Sequence, residues 1–86
     1  MRQFDKAIEV YEKCNRINPK SVQTYLALGY TYHLKFELMK ALEYYHKAHF
    51  LKSEDLLVEE LISKAMEDIT NTEINPLNNT FLIQTV

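Results

Sequence analysis

One glycine, two prolines and one cysteine are all that 86 residues hold of the types that most often punctuate or staple a chain. With so little turn chemistry a turn-rich β fold is excluded and helices are favoured. The lone Cys14 removes any internal disulfide framework and any cysteine-rich zinc site, and fits a reducing compartment. No apolar run approaches the roughly 18 residues of a membrane span, and no apolar signal segment follows Met1-Arg2-Gln3-Phe4-Asp5. Neither half of the chain is dense enough in Lys and Arg, free of interleaved acids, to read as a nucleic-acid arm. A single Gly could hardly build a phosphate loop or a nucleophile elbow, and no Ser/His/Asp order is present, so catalysis is not expected.

What is there is ordinary in amount and uneven in placement. Apolar residues make up 47 % and charged residues 26 %, close to soluble usage. A chain this short buries only about 60 to 65 % of its unfolded surface, so it is one small unit that needs a neighbour, or part of something longer. Residues 1–52 carry nine Lys/Arg against five Asp/Glu, a balance of +4. Residues 53–86 carry one Lys against seven acids, a balance of −6, which completes the net −2.

The chain repeats itself. Shifted by 34 positions, Phe4–Cys14 falls on Leu38–Ala48, with Lys6/Lys40, Ala7/Ala41, Glu9/Glu43, Tyr11/Tyr45 and Lys13/Lys47 identical. Ile8/Leu42, Cys14/Ala48 and Ile17/Leu51 keep size and polarity. Both copies space their apolar residues along one helical face, Phe4, Ala7, Ile8, Tyr11, Cys14 and Leu38, Ala41, Leu42, Tyr45, Ala48. Pro19 pushes Asn18 out of the α region and ends the first helix, about residues 2–18. Ser21 then caps a second, about Val22–Leu34, by accepting from its free amides. A last helix, about Asp55–Thr70, is read with Leu57, Leu61, Ile62, Ala65 and Ile69 inward, and with Glu59, Glu60, Lys64, Glu67 and Asp68 outward as a solubilising cap.

Helix, short turn and helix at a 34-residue period is the arithmetic of the tetratricopeptide repeat (TPR). Tyr25-x2-Leu28-Gly29-x2-Tyr32, followed by Ala41-x3-Tyr45-x2-Ala48, resembles that family's pattern of an aromatic, Leu-Gly and Tyr, then Ala and a second aromatic. Gly29 costs about 1 kcal/mol against Ala in an open helix, so its place in Val22–Leu34 implies a second helix crossing close against it, with Ala41 and Ala48 as small partners and Tyr45 beside them. Tyr25, Leu28, Gly29, Tyr32, Ala41, Tyr45 and Ala48 are therefore the expected packing set. Two positions depart from the family: Phe36 stands where TPR turns usually have Gly, so a longer or more strained turn is expected, and Ser53 replaces the closing Pro, with Ser53 or Asp55 left to cap the last helix. The expected fold is all-α, about four helices of TPR hairpins forming a fragment of an α-α superhelix, over residues 1–70, with a flexible tail over 71–86. Residues 2–18 read as the second helix of a repeat whose first helix lies upstream, so the chain is expected to be the C-terminal end of a longer array.

A second stripe on the helix Val22–Leu34 is Gln23, Leu26, Tyr30 and His33. In such hairpins the first helix lines the concave side, which makes these four the candidate partner groove. They include no Lys or Arg, so a clamp on a terminal carboxylate is disfavoured and a peptide with apolar anchors is favoured. The alternative is that Leu26 and Tyr30 pack against preceding repeats.

Thr24–Leu34 together with Ala41–Ala48, continuing through Leu51–Asp55 and Ala65–Asp68, resembles the last TPR repeats of the subunit 6 family of the anaphase-promoting complex, or cyclosome. The resemblance covers roughly residues 4–69. It implies a non-catalytic scaffold of a cell-cycle ubiquitin ligase, found in nucleus and cytoplasm, that stacks with other subunits of the complex and encloses a peptide of a small accessory subunit. A generic TPR peptide-binding adaptor of another assembly is the alternative reading. No cofactor is implied.

Other chemistry is thin. His46 and His49, with Glu43 a turn earlier, could reach one metal ion, yet no second cluster completes a tetrahedral set, and no metal site is expected. Cys14 takes the slot that Ala48 takes in the other copy and reads as a small buried hydrophobe. Asn71–Val86 turns to Asn, Thr and short aliphatics, with Pro76 expected to break any helix, and Thr80–Val86 has the β propensity to dock or aggregate.

Overall fold

The computed structural model describes the backbone of residues 2–84 and the side chains of residues 2–72. Four helices run in order, α1 (Arg2–Ile17), α2 (Val22–Leu34), α3 (Leu38–Leu51) and α4 (Leu56–Gln84). α1 packs on α2, α2 on α3 and α3 on α4. The result is an all-α slab of 53 × 33 × 14 Å, in which each helix is stabilised by its neighbours in sequence. No helix among the described residues is long and apolar enough to cross a membrane.

Local chemistry sets the breaks. After α1 the Asn18 amide donates to the Cys14 carbonyl (2.9 Å), and Pro19 follows. Ser21, extended at φ −87° and ψ 113°, accepts from the Thr24 amide at 3.2 Å and opens α2. α2 closes with the Phe36 amide donating to the His33 carbonyl and the Glu37 amide to the Tyr32 carbonyl, each at 2.9 Å. That pair of bonds needs a left-handed residue between them, and Phe36 takes it, at φ 65°. The turn is thus short and strained. Asp55 opens α4, its Oδ1 accepting from the Leu57 amide at 2.9 Å.

The core is one cluster of Ile8, Leu28, Tyr32, Ala41, Tyr45 and Ala65, drawn from all four helices. At its centre the Tyr45 ring presses against Gly29: a Cβ built there would stand 2.5 Å from Cε1 and 2.6 Å from Cδ1 of that ring, and 3.3 Å from the Ala41 carbonyl oxygen. Ala41 and Ala48 have no exposed surface, so α3 can approach α2 and α4 closely.

Three expectations are corrected. Cys14 is exposed, not buried, because α1 turns its Ile8 side to α2 and no element among the described residues covers its far side. On α4 Val58 and Ala65 have no exposed surface and Leu61 and Ile62 pack on the core as expected, while Leu57 is 53 % exposed. Val58 and Ala65 lie seven residues apart on one line, whereas Leu57 sits about 100° round the helix. Finally, the α4 backbone continues past Thr70 and through Pro76 to Gln84. A nucleated helix gains one hydrogen bond per added residue, and Pro76 removes one of these without stopping the run. The side chains on which a role for Thr80–Val86 depends lie outside the described residues.

Candidate protein-binding groove

α2 has two working faces. Leu28, Gly29, Thr31 and Tyr32 are buried between its neighbours, and Gln23, Leu26 and Tyr30 lie on the other side. Gln23 is exposed, Tyr30 is 52 % exposed, and Leu26 is half-buried, its inner surface packed on the core cluster. A crevice of about 450 Å³ opens where α2 and α4 begin, lined by Lys20, Gln23, Leu26, Lys52, Asp55 and Leu57 among others. The exposed half of Leu57 on α4 thus continues the apolar floor laid by Leu26 on α2. Lys20 and Lys52 reach the crevice from the turns before α2 and after α3, which no helical periodicity in the sequence could reveal.

Tyr30 stands exposed further along α2 and does not line this crevice, and His33 is placed differently again. Its Nδ1 is 3.0 Å from the Tyr45 hydroxyl and its Nε2 is 2.8 Å from Asp68 Oδ2. An ionised carboxylate only accepts, so with neutral imidazole Nε2 carries the proton, and Nδ1 accepts from the Tyr45 hydroxyl. One polar chain therefore runs from α3 through α2 to α4. Lys64 reaches the other oxygen of Asp68 at 3.3 Å. The hydrogen bond from His33, helped by Lys64, holds the Asp68 carboxyl below its ordinary range, and burial pushes the Tyr45 phenol up to about 12. Asp68, expected among the outward acids of α4, instead turns inward to His33, which stands 35 residues away, too far along the chain for spacing to pair them.

Tyr25, from the expected packing set, is half-buried in a tyrosine stack. Tyr44 lies between Tyr25 (centroids 6.2 Å apart) and Tyr32 (5.6 Å, planes 5° apart). Lys47 stands over Tyr44 at 5.1 Å and Lys40 over Tyr32 at 5.7 Å. The lysine spacing 40, 47 beside Tyr44 on α3 was the available sequence signal for this ladder. Near the other end of α2, Lys35 bonds Asp5 of α1 at 2.8 Å and Glu37 at 3.2 Å. Its ammonium keeps the Asp5 carboxyl below the usual range.

Among the described residues no group of three His, Cys, Asp or Glu side chains gathers as a metal ion would require. His49 instead lies 3.8 Å from Glu59 of α4.

Residues 1–21 match the sequence profile of the tetratricopeptide repeat. Over 66 residues, 77 % of the chain, it is 32 % identical to the anaphase-promoting complex subunit 6 of Dictyostelium discoideum. The chain spans 8 % of the length of that relative. No solved structure matches the chain. The 34-residue period, the stacked hairpins and the profile matched over residues 1–21 agree on tetratricopeptide repeats, a repeat type that binds proteins and is typically non-catalytic.

Proposed function

We propose that this chain is a non-catalytic interaction scaffold, working as part of a tetratricopeptide subunit of the anaphase-promoting complex and supporting assembly of that cell-cycle ubiquitin ligase. The observation that carries the proposal is the likeness over 66 residues to subunit 6 of that complex. Its proposed partners are other subunits of the complex and a peptide segment of a small accessory subunit. Gln23, Leu26 and Tyr30 supply the contact face on α2, with Leu57 of α4 continuing it, and the nucleus and cytoplasm are the corresponding location. His33, with both ring nitrogens engaged, shapes the groove by fixing α4 beside α2.

A second reading has its own observation. Lys20 and Lys52, against the one acid Asp55, line the crevice and favour an extended peptide with an acidic end, as a generic TPR adaptor of another assembly would take.

Affinity capture from cell extract with the tagged chain, compared with a Leu26→Ala/Tyr30→Ala variant of matched helicity, separates the two. Recovery of anaphase-promoting complex subunits by the first and not by the variant is expected. Recovery of unrelated proteins carrying acidic C-termini, lost on Lys20→Ala/Lys52→Ala, favours the adaptor. Equal recovery by both chains removes Leu26 and Tyr30 from the contact face.

A further inference from the structure

The α2 stripe that holds Leu26, Tyr30 and His33 is turned toward α4 at both ends. Leu26 shares a crevice with Leu57 where the two helices begin, and seven residues further along α2 the His33 ring donates to Asp68 of α4 at 2.8 Å. Tyr30 stands between them on the same helical face, 52 % exposed. The groove so outlined has α2 and α4 as its walls, both within the described residues. It is open at the crevice, and past Tyr30 the His33–Asp68 bond ties the walls together and closes it.

The open end is positive. Lys20 and Lys52 line it with exposed side chains, and among the described residues neither forms an ion pair. Asp55, the one acid there, has its Oδ1 committed to the Leu57 amide at 2.9 Å. Inward of the cations the floor turns apolar, with half-buried Leu26 facing the exposed half of Leu57. From Leu26 to Tyr30 the helix rises about 6 Å. An extended chain advances about 6.6 Å in two residues and turns alternate side chains to one side. Alternate side chains of one extended segment therefore fall on Leu26 and on Tyr30 in register.

We propose, resting on the adaptor reading, that this groove takes a short extended segment of another protein in which an acidic, an aliphatic and an aromatic residue alternate with residues of any kind. The acidic side chain pairs with Lys20 and Lys52, the aliphatic one covers Leu26 and Leu57, and the aromatic one lies against Tyr30, where the His33–Asp68 bond ends the groove. Charge complementarity selects the acid, since two unpaired ammonium groups face one engaged carboxylate. Lysines offer no fork for bidentate fixing of a carboxylate, so the charge orients the segment and the two apolar contacts set its register. Ion pairs at such an open end are individually weak and are screened by salt.

Titration of the isotope-labelled full chain with end-capped peptides, followed by amide chemical shifts, tests the proposal. The probes are Glu-Ala-Leu-Ala-Phe and its reverse, Phe-Ala-Leu-Ala-Glu, since the groove admits either chain direction. Shifts are expected over Lys20–Tyr30 and Lys52–Leu57. Changing Glu to Gln in the better peptide should weaken binding about threefold at low salt, and moving Phe by one position, to the wrong side of the strand, should weaken it by a similar factor of about three or more. Lys20→Ala/Lys52→Ala, with its fold verified by circular dichroism, should bind the Glu and Gln peptides equally. If shifts appear in the groove but the Glu and Gln peptides bind the natural chain alike, or the preference for Glu survives in the lysine variant, or the position of Phe is immaterial, the proposal is overturned and the adaptor reading stands. If no peptide shifts the groove, both are overturned.

Discussion

α1 joins the molecule through buried Ile8, through half-buried Tyr11 packed on the core cluster, and through the ion pair of Asp5 with Lys35, while Asn15 Oδ1 is buried there with no hydrogen-bond partner. α4 joins it through Val58 and Ala65, neither with any exposed surface, through the Tyr45–His33–Asp68 chain, and through the approach of Glu59 to His49. In a stack where stability is a sum of neighbour interfaces, two such unequal junctions mean unequal local stability. α2, α3 and the first turns of α4 form the firm unit, and α1 is the end that opens first. The α2 face with Leu26 and Tyr30 belongs to the firm unit, which keeps them at fixed spacing for the proposed partner.

The largest effect is expected where both junctions depend on the central crossing. Gly29→Leu drives a side chain into a Tyr45 ring that has no free space, and is predicted to cost about 3 kcal/mol or more, abolishing the cooperative thermal transition followed by circular dichroism. Even Gly29→Ala, which gains about 1 kcal/mol in an open helix, is expected to destabilise.

The next change acts on one junction only. His33→Ala leaves the buried Tyr45 hydroxyl without its acceptor, a loss of about 1–3 kcal/mol in urea unfolding. Faster amide exchange should appear in α4, with the rates in α1 unchanged.

Phe36→Gly works in the opposite direction. It relieves a left-handed conformation worth about 1–2 kcal/mol, and the midpoint of thermal unfolding is predicted to rise by about 4–8 °C for each kcal/mol relieved.

Acid is expected to have the mildest effect and to act at both ends. Asp5 and Asp68 both titrate below the ordinary carboxylate value, so the stability they contribute is present above about pH 4 and is lost as pH falls through their lowered pKa values. Helicity should hold from pH 7 to about pH 4 and decline below it.

Much of this contrast was legible in the residues, and the rest was hidden for identifiable reasons. The α2 limits followed from Pro19, Ser21 and the turn at Phe36, and the Gly29 crossing from the cost of glycine inside a helix. Periodicity placed apolar faces but could not say which of them meets a neighbour, so Cys14 was read as buried and Leu57 was preferred to Val58. Polar contacts between helices leave no periodic trace. The His33–Asp68 pair and the arrival of Lys20 and Lys52 at the groove depend on how α2, α3 and α4 are laid side by side.

Residue-resolved amide hydrogen exchange on the full chain at neutral pH tests the unequal junctions most directly. The account predicts the slowest exchange at Leu28–Tyr32 of α2 and Ala41–Ala48 of α3, slow exchange at Val58–Ala65 of α4, and α1 exchanging at least tenfold faster than these. Protection of α1 equal to that of α3, or α4 opening before α1, would contradict it.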